Sequence, residues 1–181
     1  MNMRSKSLTA VIATVALVAG LPFMMAPTPL NVRVAGHPGS SEKEGREDTS
    51  DVFEFSHSLS RPFDPATGLL TGRRQHTPLK VVKTIDKATP GLHKALASGE
   101  PIAEVEVDFY RIDPQTREEA KYYTITLKNA RIVEIQTFMP TSFLPQNESY
   151  RHMEEVSFVY QEIEWKWIPD GIVEEDTWVS Q

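Results

Sequence analysis

The feature that most constrains the fold is a run of alternating apolar and acidic residues from Ile102 to Ile112. A β-strand points successive side chains to opposite faces of its sheet, so this alternation predicts a half-buried strand. Such a strand needs a sheet with a core on one side and solvent on the other. The predicted apolar face is formed by Val105, Val107 and Phe109, and the solvated face by Glu104, Glu106 and Asp108.

Other apolar or alternating segments of similar length predict that the chain is built mainly from strands. The longest of them continues or bends at Asn129-Ala130. In the last strand the apolar phase shifts by one residue at Gln161-Glu162, which predicts a β-bulge. The predicted strands are Leu30–Val34, Asp51–His57, Leu79–Ile85, Ile102–Ile112, Tyr122–Leu127, Ile132–Phe138 and Val156–Trp167.

One helix is predicted between Ala88 and Gly99. Thr89 suits the N-cap, Pro90 the first helical position and Gly99 the C-cap. About seven strands and one helix predict a mainly β protein: a small antiparallel β-barrel or sandwich with one flanking α-helix. The helix would pack on the sheet through Leu92, Ala95 and Leu96.

The segment from Ser58 to Arg74 is predicted to be a long loop. It contains the turn sequence Asp64-Pro65-Ala66-Thr67-Gly68, in which proline fixes one φ and glycine permits a positive one. Loops of this length in compact domains usually carry function or move. The residues that mark it as a loop are Pro62, Pro65, Gly68 and Gly72.

The composition is that of a globular protein, since 40% of the 181 residues are hydrophobic and 24% are charged. The net charge of −6 gives no electrostatic reason to expect nucleic-acid binding, which favours basic faces. The chain has no cysteine, which excludes disulfides, thiolate catalysis and zinc–thiolate sites. No cofactor is indicated.

The sequence offers no convincing catalytic or metal-binding group. Five histidines are scattered, without the spacing of a helical zinc motif. His152 with Glu154 and Glu155 could hold a metal, but a solvated turn before a strand explains these residues better. Glu104 and Glu106 could form an acid/base pair, yet carboxylates on an exposed strand face are usually solvated. We therefore expect a protein that is not an enzyme.

Three tryptophans near the C-terminus have two interpretations. Trp165, Trp167 and Trp178 could stack on a sugar or a nucleobase. A place in the core or in a subunit interface is favoured, because large aromatic side chains dominate both.

Residues 1–25 form an apolar leader that precedes the predicted domain of residues 26–181. Arg4 and Lys6 come before an apolar stretch from Leu8 to Leu21, the pattern of a signal peptide, although the cleavage region is poor. A membrane anchor and a mis-called start codon are the alternatives. The latter is favoured because Met25-Ala26-Pro27-Thr28-Pro29-Leu30 looks like a natural beginning for the domain.

Three segments are informative only as a set, and each alone would be a weak signal. They are Arg73–Lys80 leading to Ile85–Pro90, Tyr122–Ala130, and His152–Phe158. Together they resemble the Hcp family, the haemolysin-coregulated proteins of type VI secretion systems, and the resemblance covers about Leu30 to Trp178.

The resemblance implies a β-barrel subunit that assembles into hexameric rings. In the family, rings stack into a hollow tube that carries effectors, is capped by a VgrG-type spike and is propelled by a contractile sheath. The protein would be assembled from the bacterial cytoplasm and secreted, with a periplasmic or membrane location only if residues 1–25 are a real leader. The alternative is an exported Hcp-like binding module that does not polymerise. The family's ring-bridging loop maps onto Ser58–Arg74, with candidate contacts at Arg61, Asp64, Arg73 and Arg74.

Overall fold

The computed structural model describes residues 30–141, 143–144 and 152–178. The predictions for the leader at residues 1–25 lie outside the described residues. Ten strands and one helix occur in the described ranges, so the mainly β prediction is confirmed. In chain order they are β1 (Leu30–Val34), β2 (Ser50–Ser56), β3 (Leu59–Ser60), β4 (Gln75–His76), β5 (Leu79–Thr84), α1 (Thr89–Ser98), β6 (Ile102–Ile112), β7 (Glu119–Phe138), β8 (Met153–Val159), β9 (Glu162–Trp167) and β10 (Ile172–Thr177).

Eight strands form one antiparallel sheet in the order β10-β9-β7-β6-β1-β2-β5-β8. A further pairing between β7 and β8 joins the sheet to itself and closes six strands into a barrel. Closure leaves these strands without a free edge, while β9 and β10 extend the sheet beside the barrel. The short strands β3 and β4 pair with each other alone.

The core lies inside the barrel and is made by the residues whose alternation predicted it. Val105 and Val107 of β6 are fully buried, as are Leu127 of β7 and Val156 of β8. Each fully buried aliphatic side chain of this size contributes about 1.5–3 kcal/mol relative to an exposed one. The prediction that Asp108 of β6 faces solvent is wrong, since this residue is buried. Its carboxylate tolerates burial because the Thr124 hydroxyl donates to it at 2.8 Å and the Lys121 ammonium lies 3.2 Å away.

Strand β7 runs for 20 residues and belongs both to the barrel and to the extension formed with β9 and β10, which we call the outer sheet. Its first half pairs with β6 and β9, and its second half pairs with β8. At the change of partners Asn129 has a φ of 50°. Asparagine is one of the few residues that adopt this left-handed conformation at low cost. Of the two alternatives predicted at Asn129-Ala130, a strand that continues or one that bends, the structure shows that the strand continues.

Helix α1 packs on the barrel through the predicted face, with Leu92 and Ala95 buried. Its C-cap is Gly99, whose φ of 67° is the left-handed conformation that glycine permits. The N-cap prediction is wrong by one residue, since Ala88 and not Thr89 occupies that position. Alanine has no side-chain oxygen with which to cap the helix, and the Ala88 N–H itself donates to Oδ1 of Asp86 at 2.9 Å.

The C-terminal part differs most from the sequence prediction. The expected single strand Val156–Trp167 is two strands, because the chain turns at Tyr160-Gln161 and leaves β8 for the outer sheet. The phase shift that predicted a bulge marks this corner. Strand β10 was not predicted. Among the described residues, no helix is both long and apolar enough to cross a membrane.

Candidate assembly surface

The segment Ser58–Arg74, the extended loop, is an ordered hairpin rather than an irregular loop. Strands β3 and β4 pair at its base, where Leu59 lies opposite His76. Ser58 and Thr77 close the base, because the Thr77 N–H donates to the Ser58 carbonyl at 3.0 Å. These bonds join the two ends of the extended loop to each other.

The tip of the extended loop is held by the predicted turn. The Asp64 N–H donates to the Leu69 carbonyl at 2.8 Å, and the Gly68 N–H donates to the Asp64 carbonyl at 2.7 Å. The Asp64 carboxylate accepts the Ala66 N–H at 2.8 Å. This hydrogen bond, with one from the Thr67 hydroxyl, lowers the pKa of Asp64.

The extended loop exposes apolar side chains. Phe63, Leu69 and Leu70 are between 60% and 68% exposed, and Phe63 pairs with Leu70 across the hairpin. Single exposed apolar residues are common on proteins, but several on one projecting hairpin form a surface suited to a partner.

Six side chains anchor the base of the extended loop, and we call them the His–Tyr cluster: His57, Arg74, His76, Tyr160, Asp176 and Trp178. At its centre the Tyr160 hydroxyl lies 2.7 Å from Nε2 of His57 and 2.8 Å from Nδ1 of His76. The two histidines stand on either side of the extended loop. Tyr160, which is almost completely buried, forms the corner after β8.

The C-terminal end of β10 completes the His–Tyr cluster. Oδ2 of Asp176 lies 2.6 Å from Nε of Arg74 and 3.2 Å from Nε2 of His76. Neither nitrogen is aligned for a hydrogen bond, so both contacts are electrostatic. Trp178 covers the cluster, with its ring 5.3 Å from that of His76 and 5.0 Å from that of Tyr160.

Burial sets the protonation of two members of the His–Tyr cluster. Loss of solvation lowers the pKa of His57, and the nearby His76 lowers it further. Loss of solvation also raises the pKa of the Tyr160 phenol, with a further contribution from Asp176. At neutral pH the cluster therefore holds a neutral His57 and a neutral phenol.

The four candidate contact residues lie in different environments. Arg61 and Arg73 are exposed on the extended loop. Asp64 is partly buried in its own turn. Arg74 is engaged within the chain, since it contacts Asp176 and its guanidinium donates to the Thr177 carbonyl at 3.1 Å.

Sequence reasoning missed the roles of His57, Tyr160, Asp176 and Trp178. One available signal was the position of His57 and His76, which precede and follow the same proline-rich segment. Within the part of the chain that the structure describes, no three His, Cys, Asp or Glu side chains are arranged to hold a metal ion.

The six-stranded barrel with one helix is the fold of solved Hcp proteins. A variant of the Hcp1 protein from the E. coli EAEC 042 pathovar has a TM-score of 0.71 and 30% identity, over 84% of this chain and 98% of that one. The secreted protein Hcp3 from Pseudomonas aeruginosa has a TM-score of 0.67 and 30% identity, over 84% of this chain and 99% of that one.

Sequence comparison gives the same result. The profile described as "Type VI secretion system effector, Hcp" matches residues 31–167. The "Major exported protein" of Pseudomonas aeruginosa is 39% identical over 142 residues, which span 78% of this chain and 82% of that protein. The chain belongs to the Hcp family of type VI secretion proteins, as the resemblance implied.

Proposed function

We propose that this protein is a structural subunit of the type VI secretion inner tube. Six subunits would form a ring, and rings would stack head to tail into a tube that carries effectors and is expelled into target cells. The role is mechanical and not catalytic. A VgrG-type spike and a contractile sheath are the proposed partners, and secretion from the cytoplasm is the proposed route.

The observation that carries the proposal is the anchored, apolar extended loop on a barrel of the Hcp family. A repeating head-to-tail contact joins two different, complementary surface patches of neighbouring subunits. The extended loop offers Phe63, Leu69 and Leu70 for burial, and it also carries the exposed Arg61 and Arg73. Asp64 shapes the turn, and Arg74 holds the base.

The test is light scattering after size exclusion, followed by negative-stain imaging. The full chain and the chain that starts at Met25 are run side by side, which also shows whether residues 1–25 affect assembly. We expect a mass of six subunits and ring-shaped particles that stack at high concentration. A monomer at every concentration would contradict the proposal and favour an exported binding module that does not polymerise.

Two substitutions of equally exposed phenylalanines separate the extended loop from the rest of the surface. Phe63 lies on the extended loop and Phe53 on β2, and each is 60% exposed. Phe63→Ser is expected to leave rings intact and abolish stacks. Phe53→Ser is the matched control and is expected to leave stacking as in the wild type.

A further inference from the structure

We propose that the His–Tyr cluster is an acid-sensitive latch, which holds the extended loop at neutral pH and releases it when His57 and His76 are both protonated. The latch regulates the surface assigned above to ring stacking, and its importance for assembly rests on that proposed function. Release of the loop, however, is a property of the single subunit. The two proposals can therefore be tested apart.

In the neutral cluster two hydrogen bonds join His57, Tyr160 and His76 in a chain. Nε2 of His76 faces the Asp176 carboxylate, which can only accept, so the ring hydrogen lies on that nitrogen. Nδ1 of the neutral His76 then accepts the Tyr160 O–H at 2.8 Å. The phenol oxygen in turn accepts the Nε2–H of His57 at 2.7 Å. Each of these two hydrogen bonds therefore has one donor and one acceptor.

The cluster can take up one proton without breaking. If His76 is protonated, its Nδ1–H donates to the phenol oxygen. The neutral His57 then carries its ring hydrogen on Nδ1 in place of Nε2, and the Tyr160 O–H turns to donate to the freed Nε2. The new charge faces Asp176, which attracts it, and Arg74, which repels it. The hydrogen bonds from His76 through Tyr160 to His57 reverse their direction, and the loop stays in place.

A second proton cannot be accommodated in this geometry. With both imidazoles charged, both donate towards Tyr160, and neither ring can accept the phenol O–H. The two cations face each other with ring centres 6.4 Å apart. Among the described residues, the charged groups in contact with the cluster are Arg74 from the extended loop and Asp176 from β10, and these already pair with each other. Since burial raises the pKa of Tyr160, its phenol does not ionise to compensate.

The direction of the pH dependence follows from His57. The pKa of His57 is lowered while the loop is docked. In the released loop its pKa is near the ordinary 6.5, so His57 binds a proton more readily there. Docking is therefore complete above that value and weakens as the pH falls below it. Between the ordinary and the lowered pKa, the ratio of released to docked loop rises by up to about tenfold for each pH unit.

A spin label on the loop measures the release directly. The chain has no cysteine, so Ala66→Cys, in the exposed turn of the extended loop, places a single label. We expect an immobile label near pH 8 and a mobile one near pH 5, with a midpoint below the ordinary histidine pKa of about 6.5. Light scattering on the same samples records the oligomeric state. A label whose mobility does not change over this range would overturn the latch, whether or not rings form.

Matched histidine variants test the assignment. His57→Gln introduces an amide that can hydrogen-bond to Tyr160 but cannot be protonated, so the pH-dependent change in label mobility should disappear. His93→Gln is the control, because His93 is exposed on α1. It should leave the transition unchanged. If H57Q keeps the wild-type midpoint, the latch is refuted.

A second measurement covers the case in which H57Q does not dock its loop at any pH. NMR titration of the wild-type imidazole resonances gives the pH at which His57 itself takes up a proton. The latch requires that this midpoint coincide with the release of the label. Protonation of His57 without release would overturn it.

Discussion

Lys83 and Glu154 form an ion pair that is almost completely buried, with Nζ of Lys83 2.8 Å from Oε1 of Glu154. The two residues lie opposite each other in the register of β5 and β8. The same ammonium lies 2.8 Å from the carboxylate of Asp86, and the hydroxyl of Thr89 donates to Glu154 at 2.8 Å. One cation thus joins two barrel strands to the start of the helix.

Lys83→Met is expected to lower the free energy of unfolding by about 3–5 kcal/mol, because it leaves two buried carboxylates without their cation. The measurement is chemical denaturation of the purified variant. Lys80→Met is the matched control on the same strand. Lys80 also pairs with a glutamate, Glu155, at 2.6 Å, but its side chain is 40% exposed. We expect little change for K80M, and equal losses in both variants would contradict this account.

Acid should weaken the fold through Asp86. Burial opposes its ionisation, but hydrogen bonds from Lys83 and Ser50 outweigh burial and lower the pKa of Asp86 below its ordinary 3.8. Its contribution to stability is therefore present above that pH and is lost as the pH falls through the lowered value. We expect Asp86→Asn to be less stable at neutral pH and to show a shallower loss in acid. Asp48→Asn is the control for the loss of a surface carboxylate. Its exposed pair with Lys87 should contribute little, so stability at neutral pH should change little.

Gly39 is expected to be intolerant of any side chain. A Cβ at this position would lie 2.3 Å from the backbone of Thr49, which is held by its own hydrogen bonds. Gly39→Ala should lower the free energy of unfolding by about 1–3 kcal/mol. At Gly91 the obstacle is only the His37 side chain, at 2.5 Å. Gly91→Ala should cost less, since that ring can rotate and alanine favours the helix. Thermal melts that rank the two in the opposite order would contradict this reasoning.

Two adjacent arginines should separate stability from assembly. Arg74→Gln removes the contact with Asp176 and should lower the free energy of unfolding by about 1–2 kcal/mol, since both side chains are largely but not fully buried. Arg73→Gln changes an exposed residue and should leave the melting temperature unchanged. If Arg73 contacts the next ring as proposed, R73Q will instead weaken stacking, measured by sedimentation.

The barrel was predictable wherever local chemistry decided the conformation. Alternation identified β6 because one of its faces is buried. The end of α1 was found at Gly99 because few residues adopt the conformation needed there. Asp108 shows the limit of this reasoning. An acidic residue in an alternating strand indicates solvent, unless partners such as Thr124 and Lys121 reach it from the neighbouring strand.

The groups that anchor the extended loop could not be predicted for a different reason. Tyr160, Asp176 and the two histidines come from segments far apart in the sequence. The pairing of β2 with β5, of β5 with β8 and of β9 with β10 brings them together. Strand β10 was missed because Glu174, Glu175 and Asp176 give it a polar composition. It forms through pairing with β9 and not through its own propensity.

The length of β7 has a mechanical consequence. Because the barrel and the outer sheet share this one strand, a pull on the outer sheet along the direction of β7 reaches the barrel without crossing a loop. Such a force acts parallel to the strands, so it loads many interstrand hydrogen bonds at once in shear and does not open them one after another. A subunit built in this way resists tension along that axis better than tension across it.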